Sequence, residues 1–215
     1  TGSCLAVLPM GTTNVLAKEL GIPEDADGAA RKILSGTVRT VSLGRITLTG
    51  SVPHRSRYFC LMAGIGFDGA AVYGIGGAVK RMSGKGAYVM NGLRTLLRYS
   101  PGQLEFIVDG NVINGYGAII GKASKYGGHF RVAPDASLQR PEFYAYIMGG
   151  PRRTDVVRYV YGILTGTHLR FRDIRYLRAS VIEVRGIAHV QIDGDYLGRT
   201  PAGVTIEQDA LRLLF

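Results

Sequence analysis

The sequence predicts an α+β, β-rich fold: an antiparallel β-sandwich-like body with a few helices, preceded by a strand, loop and helix of a different architecture. Three observations predict it. First, 31 glycines interrupt short β-branched and aromatic runs at close spacing, the pattern of many short strands joined by turns. Second, "DGN" at 109–111 separates QLEFIV from VINGY, and Asp-Gly tolerates the positive φ angles of a tight primed hairpin turn. Third, "LAVLPMGTTNVLAKELGIP", Leu5 to Pro23, passes from an apolar run through a glycine turn into a helical pattern.

Taken along the chain, strands are expected at 37–49, 57–63, 103–108, 116–123, 143–148, 174–184 and 189–192, each a β-branched or aromatic run bounded by turn residues. Helices are expected at 14–20, where Gly21 and Pro23 give the stop signal, and at 27–34. A third, at 86–99, carries apolar residues at helical spacing up to Ser100-Pro101-Gly102. The fourth, 154–164, is expected to place Val156, Val157, Val160, Ile163 and Leu164 on one face, with Thr154 as N-cap and Asp155 in the first turn. The organisation is then a strand-loop-helix unit over 1–36 and a β-sandwich over 37–215, with no internal repeat or low-complexity tract.

With 215 residues and 46% hydrophobic content the chain can bury a sizeable core. No apolar run approaches the ~18 residues of a membrane span, and no basic stretch followed by an apolar segment reads as a secretory leader. Cys4 and Cys60 both fall in apolar runs and are expected to be buried free thiols, which fits a cytoplasmic setting. The formal charge of +10 attracts polyanions, whether nucleic acid, phosphorylated ligands or an anionic membrane surface. The basic residues are scattered, however, and no zinc-finger, RNA-binding aromatic or helix-turn-helix pattern accompanies them; nucleic acid is not an expected partner.

Three stretches can carry chemistry. In "PMGTTN" a buried strand is expected to empty into a turn and a helix start, where outward N–H groups favour phosphate; Gly11 allows close approach, and Thr12, Thr13 and Asn14 offer short donors. A plain strand-to-helix turn is the alternative. In "GIGFDGAAVYG" three glycines around Asp68 read as an exposed loop, either turn chemistry or a carboxylate placed to hold a substrate hydroxyl or ammonium. In "VQIDGDYLG" Asp193 and Asp195 flank Gly194 and, by strand periodicity, are expected on the same side; the stretch is a hairpin turn or places a general base. The four histidines have no metal-ligand spacing.

Together and in order, these residues resemble the diacylglycerol kinase catalytic family, lipid kinases that share a fold superfamily with NAD kinase. "PMGTTNVLA" at 9–17 with "LGIP" at 20–23 carries the likeness most specifically; "GFD" at 66–68, "YGGHFRVAPDA" at 126–136 and "IDGD" at 192–195 follow in the family's order. The resemblance implies the second, β-sandwich domain of the NAD kinase/diacylglycerol kinase-like fold, preceded by a remnant of the α/β nucleotide-binding domain. The family's GGDGT loop would lie ahead of Thr1, so residues 1–215 alone are expected to be inactive.

The resemblance further implies ATP and Mg²⁺ as cofactors, with Gly11, Thr12 and Asn14 on the nucleotide side, Asp68 on the substrate side, and Asp195 as proton acceptor where the family has a glutamate. The implied partners are a diacylglycerol or sphingoid-type lipid, an anionic membrane surface bound peripherally from the cytoplasm, and a second copy in a homodimer. One departure stands out: where many bacterial members have an Asp-Asp-Gly stretch and a further Asp that hold a structural Mg²⁺, this chain has "SLQRPEFYAY", with Arg140 and Pro141 at the Asp-Gly and Tyr144 at the later Asp. A structural Mg²⁺ is therefore not expected. An NAD kinase-like enzyme and a non-catalytic lipid-binding module are the alternative readings.

Overall fold

The computed structural model describes residues 3–50, 53–78 and 95–215. Two short helices open it, α1 (Val15–Glu19) and α2 (Ala26–Leu34), followed by β1 (Val38–Leu48), β2 (Arg55–Phe59), β3 (Met62–Ile65) and helix α3 (Phe67–Ala78). Next come β4 (Leu104–Val108), β5 (Asn111–Gly115), β6 (Gly117–Gly121), the short pair β7 (Lys125–Tyr126) and β8 (Phe130–Arg131), and β9 (Phe143–Met148). Helix α4 (Arg153–Thr165) and a 3-10 turn at His168–Arg170 precede β10 (Ile174–Ala179), β11 (Ile182–Arg185), β12 (His189–Ile192), β13 (Asp195–Arg199) and β14 (Ala202–Leu214).

The strands form two six-stranded antiparallel sheets, ordered β2-β1-β14-β11-β4-β5 and β10-β9-β6-β3-β12-β13. Period-2 alternation drives their inner faces together: Leu104, Phe106 and Val108 of β4 point inward, as do Phe143, Ala145 and Ile147 of β9. In the second sheet both faces are covered. Ile119, Tyr146 and Met148, on the outer face, pack with Tyr159 of α4, which is why β6 reads as an unbroken apolar run. A third cluster joins Ala17, Leu20, Ile22 and Ala29 of the N-terminal segment to Val41 of β1 and Leu213 of β14.

The sequence expectation holds for most strands and for the hairpin at Asp109-Gly110, whose φ angles are 46° and 86°. Elsewhere the structure corrects it. The runs 57–63 and 174–184 are each two strands, because the chain leaves one sheet and enters the other at 60–61 and again at 180–181. A crossing removes backbone N–H groups from any ladder, and here aspartates supply the acceptors. Asp193 takes the N–H groups of Cys60, Leu61 and Met62 at 2.7, 2.9 and 2.9 Å. Asp109 takes those of Ser180 and Val181 at 3.1 and 2.8 Å.

The longest strand, β14, and helix α3 were not expected. The apolar run at 5–8 is not buried: Leu5 and Leu8 are exposed, and Leu5 makes one parallel bridge to Leu213, so this stretch has a strand on a single side among the described residues. Cys4 is likewise exposed, and Cys60 half-buried; both are free. The N-cap of α4 is Arg152, not Thr154; Asp155 is in the first turn and accepts the Arg152 N–H at 3.0 Å. The apolar residues of α4 divide between two faces, Val156 and Tyr159 inward, Val157, Val160 and Leu164 exposed. The helix expected at 86–99 lies outside the described residues except for its end, where 95–98 is helical.

The crossing at Cys60–Leu61 yields a stability test. Asp193→Ala loses charge-assisted acceptors and leaves at a φ of 46° a residue without the short polar side chain that makes this region tolerable, so it is expected to lower the unfolding free energy by about 2–3 kcal/mol. Asp193→Asn, which tolerates that φ and keeps one acceptor oxygen, is expected to lose about half as much. Urea unfolding checks both; an alanine variant within about 0.5 kcal/mol of the parent, the range of ordinary surface changes, would show that the crossing does not need the carboxylate.

Candidate active site

Asp68 is in the first turn of α3 and is buried, 9% exposed, not on an exposed loop. The turn is made by Gly66, with φ of 95°, and the carboxylate lies back over β3. Gly64 makes room for it: a Cβ there would fall 1.7 Å from the Asp68 Oδ2. Tyr126 donates its hydroxyl to one carboxylate oxygen, and Gln191 Nε2 donates to the other at 2.7 Å. Burial pushes the Asp68 carboxyl above its usual range, and the two donated hydrogen bonds oppose that shift. Helix α3 reaches this position because Gly69 lets it close on β12, where a Cβ would meet the His189 carbonyl carbon at 2.4 Å.

Gln191 links this carboxylate to the third motif. Its Oε1 accepts the Gly194 N–H at 2.8 Å, so Tyr126, Asp68, Gln191 and Gly194 form one hydrogen-bonded chain ending beside Asp195. The pairing of Ile192 with Asp195 makes Asp193 and Gly194 the two turn residues. Asp193 has a positive φ of 46°, so strand alternation does not run through it and the two aspartates do not act as a same-side pair. Asp193 is committed to the backbone of the sheet crossing, whereas Asp195 opens β13 exposed to solvent. Of the two, Asp195 is the carboxylate a substrate can reach.

Beside Asp68 opens an apolar cavity of about 370 Å³, whose walls include Phe67, Ile119, Phe130, Met148 and Leu164, with Asp68 and Tyr126 in the lining. A slot of this kind, greasy but with a carboxylate and a phenol in its wall, suits a molecule with one polar end and a hydrocarbon body. Neither Tyr126 nor Gln191 was singled out from the sequence. A tyrosine beginning "YGGHF" and a glutamine in a short strand carry no signal until the fold brings them to one carboxylate.

On the other side, Asn14 is not a free donor for a ligand. It sits at φ 47° as the N-cap of α1, accepts the Gly11 N–H at 2.7 Å and donates to the carbonyls of Gly11 and Pro9 at 2.8 and 3.1 Å. Asn14 therefore braces the turn, and the Gly11 N–H is already used. Thr12 remains exposed. With five residues α1 has too short a dipole to matter much for phosphate. Its last residue, Glu19, does a different job: the carboxylate accepts the Ser124 N–H and hydroxyl and the Lys125 N–H at 3.0, 2.9 and 3.1 Å. The strand so clamped continues into Tyr126, so the turn and the Asp68 site are mechanically joined.

For metals, no group of three or more His, Cys, Asp or Glu side chains is arranged to hold an ion among the described residues. In the run 137–144, Arg140 pairs with Glu142 at 3.2 Å and Tyr144 stacks on Tyr176 with ring centroids 5.4 Å apart. These side chains do not fit a divalent cation, which takes carboxylate, carbonyl and water oxygens.

Comparison with known proteins adds the family. Residues 62–215 match the model of the YegS C-terminal NAD kinase beta sandwich-like domain, and residues 1–46 match the diacylglycerol kinase catalytic domain. The chain is 30% identical over 202 residues to a diacylglycerol kinase of Bacillus subtilis (strain 168), covering 92% of this chain and 64% of the relative. It is 27% identical to a diacylglycerol kinase of Staphylococcus aureus (strain Newman), with coverage of 92% and 62%. The chain thus spans less than two thirds of the length of these relatives. A solved diacylglycerol kinase structure from Bacillus anthracis str. Sterne matches the fold with a TM-score of 0.66 at 17% identity, over 99% of this chain and 66% of that one. The two-sheet sandwich and the match over residues 62–215 agree: the chain belongs to the family of the YegS C-terminal NAD kinase beta sandwich-like domain.

Proposed function

We propose that the protein to which this chain belongs is an ATP-dependent lipid kinase that transfers the γ-phosphoryl group to a lipid hydroxyl, of diacylglycerol or a sphingoid-type lipid. The observation that carries this reading is the buried Asp68 carboxylate in the wall of an apolar cavity, tied through Gln191 to the turn that presents Asp195. The hydrocarbon body occupies the cavity and its polar end hydrogen-bonds Asp68, which fixes the position of the acceptor hydroxyl. Asp195 accepts that hydroxyl's proton as the oxygen attacks phosphorus and the bond to the ADP oxygen breaks.

Thr12, at the tip of a turn held rigid by Asn14, contacts the nucleotide. Mg²⁺ entering with ATP supplies charge neutralisation at the phosphate oxygens. Glu19 fixes the turn relative to the acceptor site through Ser124 and Lys125, and in-line transfer demands positioning of that kind.

The outer face of α4 supports a peripheral position on an anionic membrane. Val157, Tyr161 and Leu164 are 50%, 64% and 53% exposed, and Leu164 also lines the cavity, so the apolar edge is continuous with the entrance for a lipid. Arg131, Arg152, Arg170 and Arg172 are exposed on neighbouring segments, and each basic residue near such a surface contributes about 1 kcal/mol.

Two measurements on the full-length protein test this. With radiolabelled ATP and extracted lipids, Asp195→Asn is expected to reduce turnover by roughly 10²-fold or more while leaving KM for lipid nearly unchanged; wild-type turnover by this variant would remove Asp195 from the chemistry, and no labelled lipid from the unaltered protein would favour a non-catalytic lipid-binding role. In vesicle sedimentation, Leu164→Glu is expected to weaken binding to anionic vesicles by roughly tenfold, and undiminished binding would exclude the α4 edge as the docking face.

A further inference from the structure

Lys122, just past the end of β6, is fully buried at 0% exposure. Its Nζ donates to three main-chain carbonyls, Ser137 at 2.6 Å, Leu138 at 3.1 Å and Arg140 at 2.8 Å. An ammonium has three N–H donors and no acceptor, so every donor is matched. Seen from the loop, three carbonyl oxygens within four residues turn to one interior point. Their dipoles repel one another there unless a cation sits between them. Burial pulls the amine down to about 8, which leaves it mostly protonated at neutral pH.

The surrounding side chains close the site to any other cation. Gln139 and Pro141 bring no charge, and the Arg140 guanidinium is turned to Glu142 at 3.2 Å and to the Asp135 carbonyl at 2.8 Å. Glu142, the nearest carboxylate of the run, is shared between Arg140 and Arg178, at 3.2 and 3.5 Å. The Cys60 thiol nearby is pushed up to about 12 by burial and stays neutral. Oxygen ligands for a divalent ion would have to be taken from Lys122 itself.

We propose that Lys122 is the resident cation of the 137–140 loop, an ammonium covalently attached where a loop of converging carbonyls would otherwise recruit a metal ion, so that this part of the fold is independent of divalent cations. What the loop holds makes this consequential. Leu138 is buried in the cluster with Ala17, Leu20 and Ile22, and its carbonyl also accepts the Ser42 N–H at 2.9 Å. The same ammonium therefore anchors the seat of the N-terminal segment on the sandwich. The inference concerns the fold and stands whichever substrate the protein takes.

Thermal melts of nucleotide-free full-length protein at neutral pH test it. The melting temperature is expected to stay within about 1 °C whether a chelator or excess Mg²⁺ is present, since an ion that does not bind the native state cannot stabilise it. Lys122→Met, similar in length but without donors, is expected to melt roughly 5 °C or more below the parent, and added Mg²⁺ is expected not to restore it. A chelator-induced drop of several degrees in the unaltered protein would overturn the proposal, as would a Lys122→Met variant that melts with the parent. The chelator comparison needs no variant, so it decides the matter even where Lys122→Met fails to fold.

Discussion

A two-sheet sandwich whose chain passes between sheets depends on one constraint: backbone N–H groups at each passage leave a ladder and must find another acceptor. An unpaired donor costs about 1–3 kcal/mol where it is buried, and at the first crossing Met62 is already a core residue. Here two Asp-Gly hairpins solve the problem twice. Asp109, in the β4–β5 turn of one sheet, takes the N–H groups where the chain crosses from β10 to β11. Asp193, in the β12–β13 turn of the other sheet, takes those where it crosses from β2 to β3. Both aspartates are at φ 46°, a conformation that presents the carboxylate back toward the adjoining segment. Each hairpin turn thus fastens a neighbouring crossing as well as its own strands.

The candidate active site is built on the second of these fastenings. Because Asp193 is fixed to β2–β3, Gly194 and Asp195 have a fixed place, and the Gly194 N–H meets Gln191. Gln191 in turn has its amide aligned so that the nitrogen faces Asp68. A single amide therefore reads both motifs, one through its oxygen and one through its nitrogen, and Gly64 supplies the vacancy in which the two side chains meet. The spatial relation between Asp68 and Asp195 is set by Gln191 of β12 and by the tight turn that follows it. Sites held by regular elements keep the sub-ångström positioning that phosphoryl transfer needs.

Much of this was legible in the sequence, and the reasons for the rest are specific. Period-2 patterns gave the strands, and Asp109-Gly110 gave its hairpin. Local patterns do not reveal a change of sheet: 57–63 reads as a single strand because aromatic and apolar residues run unbroken through Cys60 and Leu61, and 174–184 because Val181 and Ile182 resume a β-branched run directly after Ser180. Helix α3 was hidden because Gly69, the residue that lets it approach β12, is also a helix breaker in the propensity scale. For that reason Asp68 reads in the sequence as part of an exposed loop, whereas it is buried in the first turn of a helix. Asn14 belongs to the recognised "PMGTTN" turn but spends its side chain on Gly11 and Pro9, a distinction that spacing cannot make. Gln191, Tyr126, Glu19 and Lys122 act through contacts distant in sequence, which the motifs that contain Tyr126 and Gln191 do not reveal.

Lys122 shows how a loop can exchange one kind of cation for another. A bound ion stabilises a fold by an amount that depends on its concentration relative to its dissociation constant. It also needs anionic ligands that repel one another when the ion leaves. An attached ammonium has no dissociation equilibrium, so its stabilisation is independent of ionic conditions, at the cost of desolvating a charge. That cost is offset only where neutral acceptors already converge, since carboxylates beside a lysine would form an ordinary ion pair and leave the carbonyls unmet. The residues at 137–141 meet this condition: three carbonyls face inward, and the nearest carboxylate, Glu142, is drawn off by Arg140 and Arg178. Arginine at 140 and lysine at 122 therefore form one arrangement, in which the outer cation occupies the carboxylate and the inner one is left to the backbone.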